Sequence, residues 1–265
     1  MRIALGVSYL GTAYQGWQSQ PSGQTVQDRL EHALGRFACV PLHTLCANST
    51  DAAVHGLMQV VHFDTDVQRP SISWVRGTNA YLPPDIAVQW AQVVPDAFHA
   101  RASAQARRYV YILLESPVRP SLEAGRVGWT FRPLDGAAMQ SAAVRLLGEH
   151  DFSSFRAAAC QALSPIKTIE RLEITRQGAY WRFEFQANAF LHHMIRNIMG
   201  CLLAVGRGQQ PPQWIEQVLA ARSRDAAAPT FAADGLYFAG PLYAAHWGLP
   251  ESTAAFCSLP GSVIA

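Results

Sequence analysis

The chain has 265 residues, 49% hydrophobic and 15% charged, with a formal net charge of +2 at pH 7. That balance describes a globular protein with one large or two ordinary cores, and it excludes a disordered chain or a polybasic arm. Five cysteines (Cys39, Cys46, Cys160, Cys201, Cys257) with no close pair exclude a disulfide framework and a structural zinc cluster, and no metal site is expected.

Ile3, Leu5 and Val7 alternate with smaller residues and predict a first strand ending near Tyr9. Thr25 with Asp28 three residues on marks a helix start, and Val26, Leu30, Ala33, Leu34 and Phe37 follow at helical spacing. A strand over His43 to Ala47 comes next, then a loop of small residues carrying Asp51, then a strand from Leu57 to Phe63. Ser71 to Ala80 predicts a helix and Ile86 to Val94 a strand. The order β-α-β-β-α-β is the ferredoxin-like one, with both helices on one face of an antiparallel sheet.

The second half repeats that plan more loosely. Arg107 to Leu114 reads as a strand and Leu134 to Leu147 as a helix. Thr168 to Thr175 and Trp181 to Ala187 form a hairpin around Gln177-Gly178. Phe190, Met194, Ile198 and Leu202 place a long apolar helix over Phe190 to about Val205, with Arg196 in its middle. Pro211-Pro212 open a shorter helix, and Leu236 to Leu242 is the last strand. The expected fold is α+β: two ferredoxin-like, RRM-like halves with largely antiparallel sheets joined across a central cleft, helices outside. Residues 1–100 form the first half, 101–249 the second, and 250–265 a disordered tail.

Lys167 is the only lysine, so arginine carries the positive charge, much of it between Arg69 and Arg132. Planar guanidinium groups suit phosphate contacts, although composition alone favours reading them as solvated surface and intramolecular pairs. His192-His193 is the only adjacent histidine pair; neighbouring helical residues point about 100° apart, so the pair reads as structural or RNA-facing. No apolar run approaches the roughly 18 residues of a membrane span. Met1 to Leu10 lacks a signal-peptide pattern, so a soluble, cytoplasmic protein is expected.

Several motifs recur in one order: Tyr14-Gln15-Gly16-Trp17-Gln18-Ser19-Gln20, Thr50-Asp51 with Val54-His55, Asn79-Ala80-Tyr81-Leu82-Pro83-Pro84-Asp85-Ile86, and Phe98-His99-Ala100-Arg101. Arg107-Arg108-Tyr109-Val110-Tyr111, Asp151-Phe152-Ser153-Ser154-Phe155 and Phe190-Leu191-His192-His193-Met194-Ile195-Arg196-Asn197 complete the series. Together they resemble the TruA-type tRNA pseudouridine synthases from about Ile3 to Tyr243. The resemblance implies isomerisation of uridine to pseudouridine in the anticodon stem-loop of tRNA by a homodimer, with no cofactor; no phosphate-cradling or dinucleotide motif occurs here. It implies Asp51 as the catalytic carboxylate, Arg196 as its ion-pair partner and Tyr109 as the tyrosine that stacks on the base.

Those roles fit the residues. A buried carboxylate drifts to its neutral form unless a cation or several donors hold it charged, and an arginine on an apolar face needs a partner. A paired uridine must leave its stack to react, and Arg101, Arg107 and Arg108 are placed in sequence to hold the flanking phosphates. Alternation puts Tyr109 and Tyr111 on one face, read as a working surface. Trp17 and the glutamines around it are read as support for the Asp51 loop or as base readers. Three positions depart from the family. Asn48, Ser49 and Ala53 stand where it carries glycine, a base-flipping arginine and glycine, and a positive φ at Ala53 implies strain. An attenuated homologue that binds tRNA is therefore the alternative.

Overall fold

The computed structural model describes residues 1–158, 160 and 162–250, so the tail expected at 250–265 lies almost wholly outside the described residues. The chain is α+β, with ten strands among the described residues, mostly antiparallel, and it divides into two compact units. The first comprises Met1–Arg107 and the segment that returns from Tyr237; the second is Arg108–Leu236.

In the first unit the elements are β1 (Arg2–Tyr9), α1 (Val26–Ala38), β2 (Leu45–Cys46), β3 (His55–Asp64), α2 (Ser71–Asn79) and β4 (Ile86–Val94). β1 lies between β4 and β3 and is antiparallel to both. The period-2 pattern of β1 turns Ile3, Leu5 and Val7 toward the helices, where Leu30, Leu34, Trp74 and Phe63 close the core. Helix α1 starts as expected: the Thr25 side chain accepts from the Asp28 N–H, and the Asp28 carboxylate accepts from the Thr25 N–H. The strand expected over His43 to Ala47 contracts to two residues. β2 pairs only at Leu45↔His62 and Cys46↔Val61, and the chain then leaves the sheet to form the Asp51 loop. The sheet's other face buries Ala4, Val60, Val94 and Phe98 under Trp90, Tyr243 and Trp247.

The second unit contains most of β5 (Ala104–Glu115), then β6 (Gly128–Thr130), α3 (Gly136–Val144), β7 (Gly148–Asp151), β8 (Ile166–Gln177), β9 (Tyr180–Ala187), α4 (Met194–Gly206) and α5 (Trp214–Ala221). The sheet order is β5-β9-β8-β7, with β6 parallel to β5. The β8–β9 hairpin turns at Gly178, φ +58°. The sequence pattern did not reveal β6 and β7, which are too short to show alternation. Helix α4 starts four residues later than its apolar spacing suggests, because His193 adopts the left-handed φ of +61°. The last strand is β10 (Leu236–Tyr243). It pairs in parallel with β3, at Tyr237↔His55 and Phe238↔Gly56.

Candidate active site

The Asp51 loop is tied down on both sides. Ala47 N–H donates to Val60 O at 2.8 Å, and the Gln59 side chain donates to Asn48 O at 2.5 Å, which fixes the exit from β2. Beyond it, Trp17 N–H donates to Thr50 O (3.1 Å) and Ala53 N–H to Tyr14 O (3.4 Å). The Tyr9 hydroxyl and Thr50 Oγ1 share a buried hydrogen bond of 2.8 Å. Burial pushes the Tyr9 phenol up, so Tyr9 keeps its proton and remains a bonding partner. Gly11 N–H donates to His55 Nδ1 at 3.0 Å, at the start of β3. Ser49 Oγ donates to Gln18 Oε1 at 3.1 Å.

The Tyr14–Gln18 segment is therefore a splint for the loop, and the indole of Trp17, fully buried against the Tyr9 ring, reads no base. Two glycines make the splint possible. A Cβ on Gly11 would lie 2.0 Å from Val54 O, and one on Gly16, at φ +88°, 2.6 Å from Thr50 O. Sequence reasoning missed Tyr9 and Gly11 as loop supports, because their bonding partners lie 41 and 44 positions away in the chain and neither carries reactive chemistry. Val54 N–H returns to Asp51 O (3.2 Å), closing a turn with Ala53 at φ +63°. Asp51 begins that turn, half-buried, on backbone held from both directions.

Arg101 belongs to the same unit and reaches the loop. His99 Nδ1 accepts the N–H groups of Arg101 and Ala102 (both 3.2 Å), and the Arg101 guanidinium donates to Cys46 Sγ at 3.8 Å. Burial pushes the Cys46 thiol up, so it meets that cation as a neutral group. Arg107 donates to the carbonyls of Arg101 (2.7 Å) and Ala104 (3.1 Å), bracing the turn that carries Arg101.

In the second unit, Tyr109 is buried in β5 with its ring edge-on to Phe190, centroids 5.3 Å apart, and Arg108 precedes it, half-buried. Tyr111 is a core residue: it is fully buried and its hydroxyl donates to Ala232 O at 2.9 Å. Val110 and Ile112 are buried too, so alternation along β5 does not single out a working face. Arg196 lies in the first turn of α4 rather than its middle, and its Nε–H donates to Phe231 O at 2.9 Å. A cation at the positive end of a helix dipole is disfavoured unless an anion faces it. Asn197 beside it is fully buried, bonded to Phe155 O and to the Thr230 hydroxyl. His192 and His193 precede the helix rather than belonging to it, and their ring centroids approach to 4.1 Å. The 100° separation of helical neighbours therefore does not apply to them.

Residues 142–244 match the family model described as tRNA pseudouridine synthase. The chain is 69% identical over 264 residues to the tRNA pseudouridine synthase A of Polaromonas naphthalenivorans, covering 98% of this chain and all of that one. It is 70% identical over 260 residues to that of Albidiferax ferrireducens, with the same coverage. The chain belongs to the tRNA pseudouridine synthase A family. It is accordingly an enzyme of the isomerase class. Among the described residues no helix is long and apolar enough to cross a membrane.

Proposed function

We propose that this synthase isomerises uridine to pseudouridine in the anticodon stem-loop of tRNA, with Asp51 as its nucleophile and without a cofactor. The observation that carries the proposal is the seating of Asp51 on a half-buried turn splinted by Tyr9, Gly11 and Tyr14–Gln18. A reacting carboxylate must be held in place while a large substrate docks, and fixed backbone does this at no entropic cost during reaction.

In the proposed reaction the target nucleotide leaves its stack and the Asp51 carboxylate acts at its ribose–uracil junction. The carboxylate bonds to C1′ as the C1′–N1 bond breaks, the uracil turns while it is held, and C5 displaces the carboxylate from C1′; the proton lost from C5 is matched by one taken up at N1. Arg196 is the proposed counter-ion of the Asp51 carboxylate, and the cation's place at the helix N-terminus supports its having an anionic partner. Tyr109 is proposed to stack on the base and carry the C5 proton. Arg101 and Arg108 are proposed to hold flanking phosphates, with Arg107 acting through the Arg101 turn. A homodimer, in the cytoplasm, is the proposed working form.

The binding-only alternative draws on Ser49, which is exposed, uncharged and engaged with Gln18, and on the left-handed Ala53. Mapping pseudouridine in unmodified tRNA after incubation separates the readings. The proposal expects product in the anticodon stem-loop with wild type and none with Asp51→Ala, while tRNA binding persists. Product elsewhere in the tRNA rejects the assigned position, and no product with intact binding establishes the alternative. If extruding the base limits turnover, Ser49→Arg raises the single-turnover rate several-fold; an unchanged rate rejects that limit.

A further inference from the structure

A second group of residues in the Arg108–Leu236 unit has the makings of a nucleic-acid contact. Strand β6 runs beside the end of β5, with Trp129 opposite Leu114 and Thr130 opposite Glu115. The chain leaves β6 through Phe131, whose side chain is 60% exposed, an unusual place for a large aromatic ring. Phe131 leans on the Trp129 ring, centroids 6.0 Å apart, and the Trp129 indole N–H is anchored to Ser116 O at 2.8 Å. The ring is thus braced by Trp129 while most of its surface stays exposed. The Arg132 guanidinium lies 5.6 Å from its centroid.

Arg207, just past the end of α4, approaches the same spot and donates to Thr130 Oγ1 at 3.2 Å. Burial, and then the like charge of Arg132, push its guanidinium below the usual arginine range. Its Nε is buried and has no hydrogen-bond partner. Neither Arg132 nor Arg207 forms an ion pair among the described residues. The acids nearby in sequence and register are engaged. Glu115 accepts from Arg176, Trp181 Nε1 and Leu134 N–H, and Asp135 caps α3 through Ala138 N–H. Two guanidiniums driven together beside an exposed ring, with no carboxylate supplied, form a site lacking its anion.

We infer that Phe131, Arg132 and Arg207 form a second tRNA contact, in which an unpaired base stacks on Phe131 and its phosphate lies between the two guanidiniums. A sugar–phosphate with a stacked base satisfies all three side chains at once, whereas an acidic peptide leaves the ring without a partner. The inference rests on the tRNA-modifying function proposed above. Two rulers within this unit set its distance from the candidate catalytic side chains. Arg196 and Arg207 are eleven residues apart along α4, about 17 Å at 1.5 Å per residue, and Tyr109 and Leu114 are five apart along β5, also about 17 Å. This contact therefore lies about 17 Å along each element from the candidate residues Arg196 and Tyr109 of this unit.

The test compares wild type with Phe131→Ala/Arg132→Ser, both exposed positions, and with Arg207→Gln. Affinity for full-length unmodified tRNA is measured from 50 to 200 mM salt, and kcat and KM for tritium release are measured alongside. The expected result for the double variant is roughly a tenfold rise in Kd and KM, kcat within twofold of wild type, and a log–log salt slope shallower by about 0.7. Arg207→Gln shares the shallower slope. Unchanged affinity and slope overturn the inference. A change in oligomeric state on sedimentation, with RNA affinity intact, also overturns it and marks the patch as a contact between copies. Failure of the function proposed above has a different signature, since wild type then releases no tritium at all.

Discussion

Ala53 occupies the third position of the turn that Asp51 begins, at φ +63°. There an L side chain crowds the following carbonyl, at a cost of about 1–2 kcal/mol. Glycine relieves that strain but adds freedom to the unfolded chain worth about 0.4–1 kcal/mol. The balance predicts that Ala53→Gly stabilises the protein by roughly 0.5–1 kcal/mol and raises the melting temperature by about 2 °C. Calorimetry that finds a lower melting temperature contradicts the strain. His62 gives a second residue-scale test. Burial, then the charges of Arg2 and His99, push its imidazole from 6.5 down to about 4. The native state thus holds it neutral while the unfolded chain protonates it below pH 6.5. The stability it contributes is complete above 6.5 and is lost as pH falls through about 4, on the order of 2 kcal/mol. His62→Asn, which keeps an acceptor for Ala100 N–H, should flatten urea-unfolding stability between those pH values. An unaltered slope excludes His62 as the source.

Among the elements, the loop after β2 and its splint form one mechanical unit, because Gly16 is the point where they touch. Gly16→Ala adds a Cβ 2.6 Å from Thr50 O at a positive φ, so the splint and the Asp51 turn must separate. The expected outcome is a loss of about 2 kcal/mol of stability and at least a tenfold fall in kcat, with tRNA affinity little changed; full activity refutes the splint. Much of this unit was legible in the sequence. Thr25 and Asp28 announced α1, and the Asp51 loop was bracketed by apolar runs. What the sequence hid has physical causes. Four-residue apolar spacing continues through Phe190, yet a left-handed His193 starts α4 late and moves Arg196 into its first turn. Tyr111 looked like a surface partner of Tyr109, because alternation cannot tell a half-buried strand from one buried on both faces.

For the whole molecule, chain order is an incomplete guide to membership. β10 follows the second unit in sequence but pairs with β3, about 180 residues earlier, and no local pattern encodes so distant a partner. The candidate residues divide likewise: Asp51, Arg101 and Arg107 belong to the first unit, and Arg108, Tyr109 and Arg196 to the second. The proposed chemistry needs both sets, but Asp51 alone is asked to react. The most direct test is tritium release from tRNA labelled at uridine C5, comparing wild type with Asp51→Asn, which keeps the shape and removes the charge. Wild type should release tritium steadily, and the variant at equal tRNA occupancy should do so at least a thousandfold more slowly, roughly 4 kcal/mol of lost transition-state stabilisation. Release by Asp51→Asn within tenfold of wild type contradicts a reacting Asp51 carboxylate.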